Sequence, residues 1–528
     1  MAFRCGSCNG SVLFDIESQK MKCRHCGSEF EPEEFRVRDT GQETEGSETG
    51  LAVFTCGSCD AELESTEDSV VGFCPYCGGQ SMLQSKTEGK PIEGIIPFQI
   101  TREQCGRRYR DFARKVPYLP RELKKPEFLQ SFTGIYMPYY KYDVRMGRPR
   151  IRGTKTVKRT SRYDVINTYR VEAHTEGEYR GVPFDASRYL DDEISAQTLP
   201  YDPAAERPFH PAYLSGFYAD ASTVPAELYE RDAEAQASRD VVDEVAAAIY
   251  RRDKISVEKE KSSVEAQTVG HRSVLFPMWF LTWRKENRVA YAVLNGASGK
   301  VVSDLPVDML RFALGCGGIA LLLFLALELV FQPTPRLTSA LSFVAALVMA
   351  VLVRNGARQV SDRRTHAKDK GWRAGEDGGT TEPEPKTARK KHSDAARVAA
   401  SIVITILVSA LLVGGLLGYL LLGNGSLRPF PILLGAGVLL FVLYQTKTVC
   451  GLQRNIEKKY PLVSMVLLLI AVVINLAVVL ISPVRDFWYY LGDAVCIVVL
   501  VLAAVGMIRT YNAGTTRPLP KLFDRNEV

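Results

Sequence analysis

Eight cysteines in the first 77 residues fall into four Cys-x-x-Cys pairs, and the second set of four repeats the first at an offset of 51. Cys5, Cys8, Cys23 and Cys26 become Cys56, Cys59, Cys74 and Cys77. A Cys-x-x-Cys turn aims two thiolates at one point, and a second turn returned by a short hairpin completes a tetrahedron around Zn²⁺. In each set 14 residues separate the pairs, one short of the usual ribbon spacing. We expect two tandem zinc ribbons with one structural Zn²⁺ each and no position left open for a catalytic water. Gly6, Gly27, Gly57 and Gly78 supply tight backbone at the knuckles. His25 is an alternative ligand, but with four cysteines present it is expected beside the metal or exposed. A disulfide framework would need an oxidising compartment, and the chain opens MAFRCGSC without a signal-peptide pattern. A redox pair would need one Cys-x-x-Cys on a βαβ unit. Ribbons this small cannot hold a core alone, so metal binding and folding are expected to be one event.

The rest of the 528 residues divides sharply. Residues 1–308 are polar and charged, whereas 309–508 hold nearly all the long apolar runs. Six runs read as spans: 312–331, 337–353, 398–422, 430–444, 462–481 and 487–508. The second and fourth are short for a hydrocarbon core of ~30 Å. The long connections are basic: 354–397 includes Arg389, Lys390 and Lys391, and 445–460 includes Lys447, Arg454, Lys458 and Lys459. The positive-inside rule then puts these loops and both termini in the cytosol, beneath a plasma membrane crossed about six times. Phe487, Trp488, Tyr489 and Tyr490 form an aromatic anchor at the outer interface. The net charge of +6 is thus explained by topology and by anionic lipid at the basic loops, without nucleic acid. Glu328, Asn475 and Asp493 are the polar residues inside the spans, where acids often mark transport or proton paths. Gly414 and Gly418 form a close-packing step.

The expected organisation is multidomain: ribbon one (1–30), an acidic linker (31–50), ribbon two (51–85), a strand-rich α+β cytosolic domain (90–308), a first transmembrane hairpin (309–354), a basic loop (355–397), two further α-helical hairpins (398–446 and 461–508) and a tail (509–528). Ribbon two has no Lys or Arg, which makes it a poor reader of phosphates. Thr101 and Gln104 signal a capped helix whose buried face includes Cys105, Tyr109 and Ala113. A second helix is expected over 224–251. IYMPYYKYDVR and VLFPMWFLTWR share an apolar–proline–aromatic pattern, from which we expect a duplicated β-subdomain. In the first copy Tyr140, Tyr142, Val144 and Met146 face one way, and Lys141, Asp143 and Arg145 the other. Arg150, Arg152, Lys155, Lys158 and Arg159 read as a solvated sheet face near an anionic membrane; the competing reading is a phosphate track with Tyr142 and Tyr163 as stacking surfaces. NGASGK (295–300) is a hairpin turn and fails as a phosphate loop, because Leu294 and Val301 stand where Gly and Ser or Thr are needed. We find no catalytic constellation, and do not expect an enzyme.

The twin cysteine repeats, IIPFQIT (95–101), GIYMPYYKYDV (134–144), PAYLSGFYAD (211–220), LFPMWFLTW (275–283) and LNGASGKVVSDLPV (294–307) together resemble a family of bacterial membrane-anchored proteins labelled TFIIB-type zinc-ribbon-containing. Some members are named after the primosomal replication-restart helicase, but this chain has no Walker A or helicase motif. The resemblance covers about residues 1–308 and implies a scaffold without known catalysis, partnered by membrane proteins with SPFH domains in membrane-stress assemblies; the spans are expected to anchor it and to support homo-oligomers. It also implies one or two spans, fewer than the six read here. A membrane-tethered nucleic-acid binder and a channel or transporter with a cytosolic regulatory domain are the competing functions.

Overall fold

The computed structural model describes residues 3–35, 52–56, 62–65, 82–85, 92–125, 132–159, 164–171, 177–285, 288–330, 334–376, 430–456 and 458–518. The first cysteine repeat folds as a small sheet of β1 (Val12–Asp15), β2 (Lys20–Cys23) and β3 (Glu29–Phe30). From the second repeat come β4 (Ala52–Cys56), β5 (Glu62–Ser65) and β6 (Met82–Ser85), with β4 pairing with both others. The bridge Arg4↔Ser11 in the first repeat becomes Thr55↔Glu62 in the second, so the sequence offset of 51 carries into the pairing. The acidic linker starts later than expected. Pro32–Glu34 forms a 3-10 turn, and Phe35 packs edge-on against Phe3 at 5.5 Å and Phe30 at 5.6 Å, so these aromatics fold into ribbon one.

The middle of the chain builds a 14-stranded sheet that also takes in the second repeat. In order come β7 (Gly94–Ile95), α1 (Arg102–Lys115), β8 (Thr133–Arg159), β9 (Asp164–Val171), β10 (Gly177–Asp185), α2 (Asp192–Thr198), β11 (Arg207–Pro208), β12 (Tyr218–Asp220), α3 (Glu230–Asp253), β13 (Ser256–Val257), β14 (Ser263–Lys285), β15 (Arg288–Asn295) and β16 (Val301–Ser303). The capping box opens α1: Thr101 Oγ1 accepts from Gln104 N, and Gln104 Oε1 accepts from Thr101 N. Cys105, Tyr109 and Ala113 are buried, which makes Cys105 a core residue whose thiol burial pushes well up.

The two long strands β8 and β14 run antiparallel at the centre, and their proline motifs face each other. Met137 pairs with Phe276, Tyr136 with Pro277 and Pro138 with Leu275, so matching positions cross about a local two-fold. The flanks repeat the pattern. β12 lies parallel to β8 at Ile135–Tyr136, and β7 lies parallel to β14 at Val274–Leu275. β10 ends with Asp185 opposite Tyr139, and β15 ends with Asn295 opposite Met278. Proline lacks an N–H and is normally kept out of central strands. Here each proline sits where the outer neighbour changes, from β12 to β10 at Pro138 and from β7 to β15 at Pro277, so the missing donor leaves no gap in the ladder. Their carbonyls accept from Ala186 N and Gly296 N, both at 2.8 Å.

Tyr140, Tyr142, Val144 and Met146 share one core with α3, as their alternation predicts. The opposite face is partly covered. Lys141 is buried against Glu206, which also receives Arg272 at 3.0 Å.

The C-terminal region contains α4 (Met309–Val330), α5 (Pro335–Arg364), α6 (Lys370–Glu376), α7 (Phe430–Leu452), α8 (Tyr460–Ile481), α9 (Phe487–Thr515) and β17 (Arg517–Pro518). Among the described residues, four helices are long and apolar enough to cross a membrane: Pro335–Arg364, Pro431–Asn455, Tyr460–Ile481 and Phe487–Thr515. The runs 337–353 and 430–444, read as short, belong to helices of 30 and 25 residues, because polar turns extend each helix beyond its apolar run. The expected span 398–422, with Gly414 and Gly418, lies outside the described residues. The span expected at 312–331 falls on α4, a helix of 22 residues.

The sheet domain sits at one end of this bundle. β17 follows α9 directly and pairs with the start of β15, Arg517 with Val289 and Pro518 with Arg288. Asn512 near the end of α9 exchanges two 2.8 Å hydrogen bonds with the Val307 backbone. Arg363 at the end of α5 meets Asp304 at 2.6 Å. Phe487, Trp488 and Tyr490 are exposed at the far end of α9.

Candidate metal centre and the contacts that anchor it

The first Cys-x-x-Cys lies inside the turn closed by the Arg4↔Ser11 bridge, and the second begins at Cys23, the last residue of β2. The hairpin brings them together. The four sulfurs of Cys5, Cys8, Cys23 and Cys26 lie within 4.8 Å of one another, with Cys5–Cys26 at 3.6 Å and Cys8–Cys23 at 3.5 Å. Those separations are too long for disulfides, whose S–S length is ~2.05 Å, and suit sulfurs placed ~2.3 Å from a shared Zn²⁺. The sulfurs carry unequal proton affinities. Hydrogen bonds from the Ser28 hydroxyl and N–H hold Cys26 low, and backbone N–H groups of Cys26 and His25 lower Cys23. Cys8 is raised by its sulfur neighbours although the Gly10 N–H opposes it. A cation would draw all four to thiolates.

His25 is exposed and contributes its N–H to Cys23 Sγ at 3.4 Å, so it supports a ligand without joining the set. Gly27 has φ +74°, which explains the glycine after the second knuckle. The other critical glycine is Gly10, which the motif does not reveal. A Cβ there would come within 3.2 Å of both Cys8 and Cys23 sulfurs. In the second repeat Cys56 ends β4, while Cys59, Cys74 and Cys77 lie outside the described residues, as does the Cys56 side chain.

Both repeats attach to one segment, 211–220. Phe14 N donates to Ser215 O at 3.2 Å, and Ser215 Oγ donates to Val12 O at 2.8 Å. Phe14 packs on Tyr213 at 5.2 Å. Cys5, Val12, Phe14, Met21 and Cys23 belong to the same buried core as Phe98, Phe217 and Trp279. From the second repeat, β5 pairs with β12, Leu63 opposite Asp220 and Glu64 opposite Ala219. Val12 and Leu63 are the same position of the two repeats, so each ribbon presents its equivalent strand to this seam.

A second attachment joins the sheet to the bundle. The chain leaving α5 turns at His366–Asp369 and enters α6, which lies against a buried acidic corner. Asp192 accepts from Tyr229 Oη at 2.8 Å and from Lys370 N at 2.9 Å. Asp369 accepts from Trp372 N at 2.8 Å, and Lys370 pairs with Asp232. Trp372 stacks on His366 at 4.3 Å and receives the Arg188 guanidinium at 5.6 Å. Burial pushes Asp192 up to about 6, against the Lys370 N–H that lowers it. Burial, and then the Asp192 charge, push Asp185 well above the usual carboxylate range, with Ser195 opposing.

The basic strand residues sit elsewhere than expected. Arg150 pairs with Ser263 at the start of β14, whereas the membrane-side tail meets the sheet just beyond its end. β14 is 23 residues long, a strand path of roughly 75 Å at ~3.3 Å per residue. Arg150 is paired with Glu265 at 3.1 Å and Arg152 with Glu258 at 3.6 Å, and Lys155 donates to Asp253 O at 3.0 Å. Tyr142 is buried and offers no stacking surface. Tyr163 lies outside the described residues, as do the side chains of Lys158, Arg159 and Glu328.

Within the bundle, Asn475 and Asp493 meet: Asn475 Nδ2 lies 3.4 Å from Asp493 Oδ1, which also accepts from Ser342 Oγ at 2.8 Å.

No protein-family model matches the chain, and no solved structure matches it. The uncharacterised protein YdjG of Bacillus subtilis (strain 168) is 26% identical over 337 residues, spanning 97% of that relative but 62% of this chain.

Proposed function

We propose that this chain is a membrane-anchored zinc-binding adaptor. The observation that carries the reading is that four cysteines of one ribbon converge on one point, with Cys5 and Cys23 buried in the same core as the sheet and Cys8 and Cys26 on the outer side. A metal enclosed in this way folds a surface and leaves no site for a reacting water. The same sheet is tied to the bundle through β17 and α6. Three attached units make a platform that holds a shaped surface at a fixed height above a bilayer.

The finer reading adds a second Zn²⁺ on Cys56, Cys59, Cys74 and Cys77, supported by the offset of 51 and the repeated pairing. It places both termini in the cytosol with about six spans, supported by the basic loops. It takes the central domain as a duplicated unit, supported by the matching pairing about Met137 and Phe276. Its partners are membrane proteins, SPFH-domain proteins among them, in a membrane-stress assembly; self-association and anionic lipid at the basic loops complete the picture. Charge pairing along the basic strands argues against a nucleic-acid track.

Crosslinking in native membranes followed by purification of the full chain tests this. The adaptor reading expects a defined set of membrane-protein partners, lost when Cys5 and Cys8 are replaced by serine. Capture of nuclease-sensitive material alone, or of no protein, refutes it.

A further inference from the structure

The bundle contains a carboxylate with no positive partner among the described residues. Asp493 is 8% exposed and Asn475 1% exposed. Asp493 Oδ2 and Asn475 Oδ1 are buried acceptors that no donor reaches among the described residues. Two hydrogen bonds end on Asp493 Oδ1, from Ser342 Oγ at 2.8 Å and Asn475 Nδ2 at 3.4 Å, and neither carries charge. The three residues come from α5, α8 and α9. Each lies about two turns, roughly 10 Å, from the helix end opposite the sheet domain. A buried charge at that depth is costly unless it is paired, and such residues mark sites for ions or protons.

From this geometry we infer that Ser342, Asn475 and Asp493 form a binding site for a small monovalent cation, Na⁺, within the helix bundle. The donor set is all oxygen: the Asp493 carboxylate, Asn475 Oδ1 and Ser342 Oγ. One carboxylate among neutral oxygens matches a single positive charge, whereas Ca²⁺ or Mg²⁺ sites draw on more carboxylates or water. The site is narrow. Gly492 brings α9 so close that a Cβ there would stand 3.0 Å from Asn475 Oδ1. A Na⁺ bound here links three helices through one ion, independently of the adaptor reading.

The test uses the full chain in detergent and follows its thermal midpoint as NaCl replaces KCl at constant ionic strength. Binding expects a saturable rise of a few degrees with Na⁺ that K⁺ does not give. Asp493→Asn should abolish the rise. Ser342→Ala should keep it but move half-saturation about tenfold higher in Na⁺, which serves if the asparagine variant does not fold. Gly492→Ala should weaken it as well. Equal midpoints in Na⁺ and K⁺ would overturn the inference, as would a Na⁺ effect that survives Asp493→Asn. A midpoint that follows pH but not the cation would overturn it too, by assigning the site to a proton.

Discussion

Two segments from outside the sheet domain end inside it, and opposite chemistries hold them. Ribbon one is held by apolar burial, with Val12, Phe14 and Met21 in the core of Phe98 and Trp279. The segment leaving α5 is held by polar groups, with Asp192 and Asp369 receiving the N–H groups of Lys370 and Trp372, and Lys370 on Asp232. Apolar contacts ignore pH and salt but need the strand to be folded, which on the proposed reading needs a metal on the four cysteines. Buried acids hold their shape without metal but respond to protons. One molecule thus carries an apolar clamp beside a thiol tetrad and a polar, proton-responsive clamp on the same sheet.

The largest effect should come from removing the metal at the first clamp. Cys23→Ser, or a strong chelator, should unfold ribbon one at a cost on the order of 5 kcal/mol or more. Limited proteolysis should then cut near Ser215–Phe217, which β1 covers in the intact protein. Resistance at that seam after metal loss would mean that the apolar contacts hold ribbon one unaided.

The second clamp has an internal reference. Asp185 and Asn295 occupy matching ends of β10 and β15. Asn295 is satisfied: its Oδ1 accepts from Ala297 N and Ser298 N, and its Nδ2 donates to Thr198 O at 2.9 Å. Asp185 Oδ1 is buried without a donor among the described residues. Asn295→Asp should therefore cost about 3 kcal/mol, by placing a charge against the Thr198 carbonyl. Thermal unfolding reads this directly, and an unchanged midpoint would show that the two corners are not comparable.

The pH response follows from the same corner. A carboxyl raised on folding, as Asp192 is to about 6, makes the folded state bind more protons. Stability should be greatest near or below the unfolded value, fall by ~3 kcal/mol as pH rises through about 6, and level off above. Asp185→Asn should flatten part of that fall and raise the midpoint at pH 8, whereas ribbon one should keep its metal across the upper part of this range. Trp372→Ala, which removes the His366 stack and the Arg188 contact, should cost ~1–2 kcal/mol and raise hydrogen exchange over 366–376. The smallest change belongs to Arg150→Ala, at most ~0.5 kcal/mol, because its pair with Glu265 is exposed.

Local features were legible in the sequence, and distant ones were not. The thiol tetrad, the Thr101–Gln104 cap and the Asn295–Gly296 turn depend on neighbours within a few residues or on a short hairpin. The apolar runs announced membrane helices, but their ends extended into polar turns, so two lengths were underestimated. The acidic corner joins Asp192 to Lys370 across 178 positions, and no spacing rule reaches that far. The seam at 211–220 stood out as a sequence signature, yet its role in receiving both ribbons depends on strand register. Gly10 escaped because its need is a close approach to two sulfurs, with no unusual φ to signal it. The basic strand was placed by its charge near the membrane, but pairing carries it to the far end of β14.

The short strand β17 imposes an order on biosynthesis. Arg288 and Val289 cannot find Pro518 and Arg517 until α9, which lies between them, has been made and inserted. The sheet therefore emerges from the ribosome with that edge open and closes it only when the last helix is in place. Completion of the soluble domain thus reports on completion of the membrane bundle, and a chain stopped before Arg517 should keep an unprotected β15 edge however well the rest has folded.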